Sequence, residues 1–151
     1  MSDFEIKVDM LISSLNEKNE ALKTVLNITE NQSLIFTSEK TAQMWDLFSQ
    51  MNETKQEGID RVIELDSLFQ GIFESISEGF EKNALQIREK TIKLQVLISE
   101  ALELDIKIRA AEQKNRQAVS EMKKVPKPVA SSSKADLLKK YEKNKKRPAD
   151  S

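Results

Sequence analysis

Apolar residues recur along the first 124 positions at steps of three and four, the spacing that puts one stripe on one face of an α-helix. Three such stretches follow one another. Val8, Leu11, Ile12, Leu15, Leu22, Val25 and Leu26 define the first, over about 3–35. Lys18, Asn19, Thr29 and Gln32 fall near its seam and interrupt it, which argues against a highly stable dimeric zipper from this segment alone. Met44, Phe48, Met51, Lys55, Ile59, Val62, Leu65, Phe69, Ile72 or Phe73, Ile76 and Phe80 define the second, over about 39–80. Five of the six phenylalanines lie between 36 and 80, so this segment is expected to carry most of the core. Leu94, Leu97, Ile98, Ala101, Leu104, Ile108, Ala111, Asn115, Ala118, Val119 and Met122 define the third, over about 84–124.

The breaks have their own chemistry. A first break falls at Phe36-Thr37-Ser38, where a hydroxyl can accept from the free N–H groups of the next turn. Gly79 and Asn83 mark the second, and Asn83-Ala84-Leu85-Gln86 has capping-box form. Gly58 and Gly71 each cost about 1 kcal/mol against alanine inside a helix, which points to a close helix contact or a bend. Short connections make neighbouring helices antiparallel. The expected fold is therefore all-α: an elongated antiparallel bundle of three long helices over 1–124. Val125-Pro126-Lys127-Pro128-Val129 and the serines behind it cannot continue a helix, so 125–133 reads as a flexible linker. Over 134–151 follows a basic amphipathic tail, with a short helix capped by Ser133 that carries Leu137, Leu138 and Tyr141 on one side, and a partly disordered end.

Composition narrows what such a bundle does. Three glycines and three prolines, with 32% charged and 5% aromatic residues, suit long helices. No cysteine and no histidine exclude disulfides, thiolate ligands, thiol nucleophiles and imidazole bases. No glycine-rich phosphate loop and no calcium-loop spacing occur, so no catalytic, cofactor-binding or metal-ligating residue is expected and the chain reads as a non-enzyme. The acidic start, Met1-Ser2-Asp3-Phe4-Glu5, lacks the charge and apolar run of a secretory signal, and no apolar run approaches the roughly 20 residues of a membrane span.

Charge is divided unevenly. Residues 1–122 hold 14 Lys/Arg and 22 Asp/Glu, a net of −8; residues 123–151 hold 10 and 3, a net of +7. The basic tail is not read as a nucleic-acid site, because it has one aromatic residue and an acidic body behind it. Three apolar side chains give only a weak grip on an anionic membrane surface. A protein partner, or the bundle itself, is the better counterpart for the Leu137, Leu138 and Tyr141 face. Trp45 lies off the main stripe beside Met44 and Phe48; it is either an exposed interaction site or, the favoured reading, packed against the turn between the first and second helices near Phe36.

Several local patterns resemble the FlgN-type flagellar export chaperones, with the related FliT-type cap-protein chaperones sharing the helical plan. Leu22 through Gln32 is similar to that family's leucine-rich first-helix stretch ending in E-x-Q. Glu64-Leu65-Asp66 with Phe69 resembles an E-L-D-x-x-F pattern late in the second helix, and Leu104-Asp105, Ile108, Glu112, Asn115 and Arg116 resemble a third-helix run ending in E-x-x-N-R. The resemblance implies a cytoplasmic chaperone that holds an unassembled hook–filament junction or cap protein and delivers it to the export apparatus. It implies cargo held as an amphipathic helix on an apolar surface, here expected on Leu97, Ala101, Leu104 and Ile108. It implies a C-terminal segment that docks on an export-gate component, here expected at Leu137, Leu138 and Tyr141, although the Val-Pro-Lys-Pro linker and basic end depart from the family pattern. The alternative is a structural coiled-coil homodimer whose basic tail touches an anionic surface. Either way no nucleic acid, cofactor or stable membrane insertion is expected, and the chain is a monomer or a dimer. The polar seam residues Asn19, Thr29, Lys55 and Asn115 are expected to restrain over-stabilisation and self-association of the free bundle.

Overall fold

The computed structural model describes residues 2–35 and 42–124. Within them the chain is all-helical and forms a bundle: α1 (Asp3–Ile35), α2 (Ala42–Ile76), the single turn α3 (Gly79–Lys82) and α4 (Arg88–Lys124). At about 1.5 Å per residue the three long helices are rods of roughly 50–55 Å. The expected break at Phe36-Thr37-Ser38, the linker 125–133 and the tail 134–151 lie outside the described residues.

Ser2 starts α1 by a device the apolar pattern does not reveal. Its Oγ accepts from the Glu5 N–H at 3.1 Å, and its carbonyl accepts from the Ile6 N–H, so the first turn is capped from outside the stripe. α2 returns antiparallel to α1, as shown by Arg61 on Glu17, Lys18 on Asp66 and Lys55 on Gln32. α4 then runs antiparallel to α2 and so parallel to α1, with Lys90 on Asp9 and Lys23 on Glu100. α1 packs along both α2 and α4, while the two outer helices meet each other chiefly through side chains.

The second break differs from its sequence reading. α2 stops at Ile76 rather than near Phe80, and α4 begins at Arg88 rather than Ala84. Asn83 does not cap the helix that follows; its Nδ2 donates to the Gly79 carbonyl at 2.9 Å and so closes the turn before it. Packing explains the change. The turn sets the Phe80 ring edge-on to Phe4, with centroids 5.5 Å apart, and brings Ile87, which is 1% exposed, into the interior.

The core falls into three apolar clusters. At one end Val8, Leu11, Ile12, Leu15, Ile76, Leu94 and Leu97 pack with Phe4, Phe69, Ile72 and Phe80. In the middle lie Leu22, Ala101 and Leu104, with Leu26, Val62 and Ile108. At the far end Met44, Trp45, Phe48 and Val119 pack with Ile35. Trp45 is therefore core, 2% exposed, in one cluster with Val119 of α4; Phe36, its expected neighbour, is not among the described residues.

The two α2 glycines have opposite surroundings. A Cβ at Gly58 would sit 2.8 Å from Val25 Cγ2, so α1 and α2 approach each other through the missing side chain. A Cβ at Gly71 meets nothing within 4 Å. Gly71→Ala is expected to raise the unfolding free energy by up to about 1 kcal/mol through helix propensity. Gly58→Ala is expected to lower it by about 1 kcal/mol, because overpacking against Val25 exceeds the same propensity gain. Urea midpoints of the two variants, moving in opposite directions, check this contact.

Candidate functional site: a buried polar layer and an outer apolar stripe

Between the middle and far clusters the interior is polar. Thr29 and Gln32 of α1, Lys55 of α2 and Asn115 of α4 are all buried, and Glu112 and Asn52 flank them. Lys55 Nζ donates to Gln32 Oε1 at 2.7 Å and to Glu112 Oε1 at 2.6 Å. Gln32 Nε2 donates to Asn52 Oδ1 at 2.7 Å, and Asn115 Nδ2 donates to the Thr29 carbonyl at 3.1 Å and to Gln32 Oε1 at 3.4 Å. Thr29 Oγ1 turns back onto the Val25 carbonyl. Gln32 thus stands at the centre, touching both outer helices through a single side chain. A second clamp lies one cluster away, where Asn19 Nδ2 donates to the Leu97 carbonyl at 3.0 Å.

This arrangement specifies more than it stabilises. The Oδ1 atoms of Asn19 and Asn115 are buried without a hydrogen-bond partner, and such an atom costs about 1–3 kcal/mol. A buried ion pair contributes little over an apolar pair of the same volume, yet breaking it is expensive. What the layer enforces is register: slide α2 by one turn and Lys55 loses both Gln32 and Glu112, slide α1 or α4 and it loses one of them. Burial is the larger influence on Lys55 and pulls its pKa below the ordinary 10.5, against the nearby Glu112 carboxylate, which raises it.

The structure turns the expected cargo-binding residues inward. Leu97, Ala101 and Leu104 are buried and Ile108 is half-buried; Leu97 belongs to the first cluster and the other three to the middle one. Leu137, Leu138 and Tyr141 lie outside the described residues. The exposed apolar side chains of α4 are others: Ile92, Val96, Ile98, Leu102 and Ile106, with Val96, Leu102 and Ile106 each about 60–67% exposed. Ile92, Val96, Ser99, Glu103, Ile106 and Ala110 repeat at steps of four and three, and all six are exposed. They precede the core positions Leu94, Leu97, Ala101, Leu104 and Ile108 by two residues and one in alternation, about 160° of rotation on average, and so occupy the opposite face. The sequence carries this second heptad in plain view; the stronger inner stripe, read alone, hides it. A helix apolar on both faces is one that expects cover on both.

Among the described residues no group of three or more acidic side chains is placed to hold a metal ion, and no helix is long and apolar enough to cross a membrane. No family model, curated protein or solved structure matches the chain.

Lys55→Met is expected to lower stability by about 1–3 kcal/mol, since Glu112 and Gln32 lose their shared donor. The double change Lys55→Met with Glu112→Met is expected to recover that loss or exceed it, and thermal melts of the three chains distinguish the cases. The pH dependence has a definite sign. The folded chain holds the Lys55 proton less tightly than the unfolded chain does, so this group's contribution is flat below its folded-state pKa and grows more favourable as pH rises from there toward 10.5. The stability difference between the parent and Lys55→Met should therefore shift in the parent's favour across that alkaline interval.

Proposed function

We propose that this chain is a protein-binding helical bundle that acts as a cytoplasmic export chaperone for an unassembled flagellar junction or cap protein. The single observation that supports it most is the outer stripe of α4. Five large aliphatic side chains are left exposed between residues 92 and 106, on a helix whose other face is already committed to α1. An amphipathic helix of a cargo protein fits such a surface, anchoring through side chains at helical spacing. The resemblance of local patterns to FlgN-type chaperones, over most of residues 1–122, supplies the class of cargo.

Holding without trapping is the physical demand on a chaperone. Affinities of roughly −8 to −12 kcal/mol span micromolar to nanomolar binding and suit it. A stripe of four or five aliphatic residues, interrupted by Ser99 and Glu103, is of that order. Cargo on this face leaves the core and its polar layer intact, whereas reaching Leu97, Ala101 and Leu104 requires displacing α1.

Affinity capture with the full chain from a lysate of flagellated cells tests this. Hook–filament junction or cap proteins are expected in the eluate. Val96→Glu with Ile106→Glu is expected to reduce their recovery at least about tenfold, since two buried carboxylates remove well over 1.4 kcal/mol of binding, while the circular dichroism spectrum is unchanged. An eluate without those proteins removes the chaperone reading. Capture unaffected by the two substitutions moves the cargo site away from α4.

A further inference from the structure

We propose that, in the absence of other partners, the outer stripe of α4 closes on a second copy of this chain, with the two α4 helices crossing antiparallel. This inference rests on the self-match of the stripe and stands whether or not the cargo is flagellar.

The stripe has the 4-3 repeat of a coiled-coil seam over residues 92–110, a length of about 27 Å. Only one direction suits its residues. A parallel pair sets Glu103 against Glu103 of the second copy inside the seam, two carboxylates that each keep their own Lys107 partner at 3.4 Å but bring no donor to each other. An antiparallel pair matches each seam position with its complement. Val96 falls opposite Ile106 of the second copy and Ile92 opposite Ala110. Leu102, at the edge of the seam, approaches Leu102 of the second copy. Glu103 falls opposite Ser99, whose hydroxyl donates to the carboxylate. Ser99 and Ala110 are small and let the backbones come close.

The flanks agree with this pairing once the existing ion pairs are considered. The antiparallel arrangement brings Glu100 near Glu100 of the second copy and Lys93 near Lys107. Glu100 is already paired with Lys23 of its own chain at 3.2 Å, and Lys107 with Glu103 at 3.4 Å, so neither like-charged approach is between bare charges. The pairing is isologous and closes as a dimer rather than growing into a fibre. With a seam of under three heptads and a polar centre it belongs to the small, weak class of interfaces, with a dissociation constant in the micromolar range. Any helix held on the same stripe displaces the second copy, so self-association and partner binding are mutually exclusive.

The chain has no cysteine, which makes disulfide trapping a clean test on the purified full-length protein. Val96→Cys and Ile106→Cys are prepared as separate chains, mixed, and oxidised. The antiparallel seam predicts cross-linked dimers in the mixture, at several times the yield of either chain alone. Sedimentation velocity over about a hundredfold concentration range is expected to show a monomer–dimer equilibrium that Leu102→Glu abolishes with helicity retained. Val96→Cys alone cross-linking as well as the mixture indicates a parallel seam and overturns the proposal. So does a chain that stays monomeric throughout. Dimers that form only after truncation at Lys124 also overturn it, because the chain's own tail then holds the stripe.

Discussion

Every long helix in this bundle depends on one partner. α1 lies against both α2 and α4, which touch each other mainly by side chains. A helix so placed must offer two apolar faces, and α1 does: Leu11 and Val8 are fully buried, and Ile12, Leu15, Leu22 and Val25 nearly so. The outer helices each need only one inward face. α2 leaves Leu47, Ile63, Leu68 and Phe73 exposed at scattered points among charged and amide residues such as Arg61, Glu64 and Gln70, whereas α4 gathers five exposed aliphatic side chains between residues 92 and 106.

Apolar stripes attract helices to one another without fixing how far along they slide, because a shift by one turn replaces one aliphatic contact with another. The polar layer removes that freedom. Gln32 must meet Lys55 and Asn115 at once, and Asn19 must reach the Leu97 carbonyl. Its orphaned carbonyl oxygens and buried ammonium group oppose stability, so the bundle exchanges some free energy for a single register. The exposed faces, whose geometry relative to one another follows from that register, inherit its precision.

Much of this was legible in the sequence, for reasons that differ by residue. The three long helices follow from apolar spacing at steps of three and four, and Trp45 packs inside, as the favoured reading had it. The start of α1 near Asp3 was legible but its Ser2 cap was not, because Ser2 acts from outside the stripe, and the start of α4 was misplaced because Asn83 serves the turn before it instead of the helix after it. The polar seam residues were visible as interruptions, but their mutual contacts were not, since Gln32, Lys55, Glu112 and Asn115 lie on three different helices and meet only when α2 and α4 are both in place. Leu97, Ala101 and Leu104 looked available to cargo because a one-dimensional pattern shows that a stripe exists and not what already covers it.

The polar layer also divides the bundle into unequal lengths. Met44, Trp45, Phe48 and Val119 form a small apolar island beyond it, separated from the two larger clusters by amides and an ion pair. Few apolar contacts cross that boundary, so the island is able to open on its own, as a local unit of low cooperativity, while the rest of the bundle stays shut. Trp45 is the only tryptophan. The intrinsic fluorescence of this protein therefore reports on one extremity of the molecule, and an emission change on titration or heating describes the fraying of that extremity before it describes the fold.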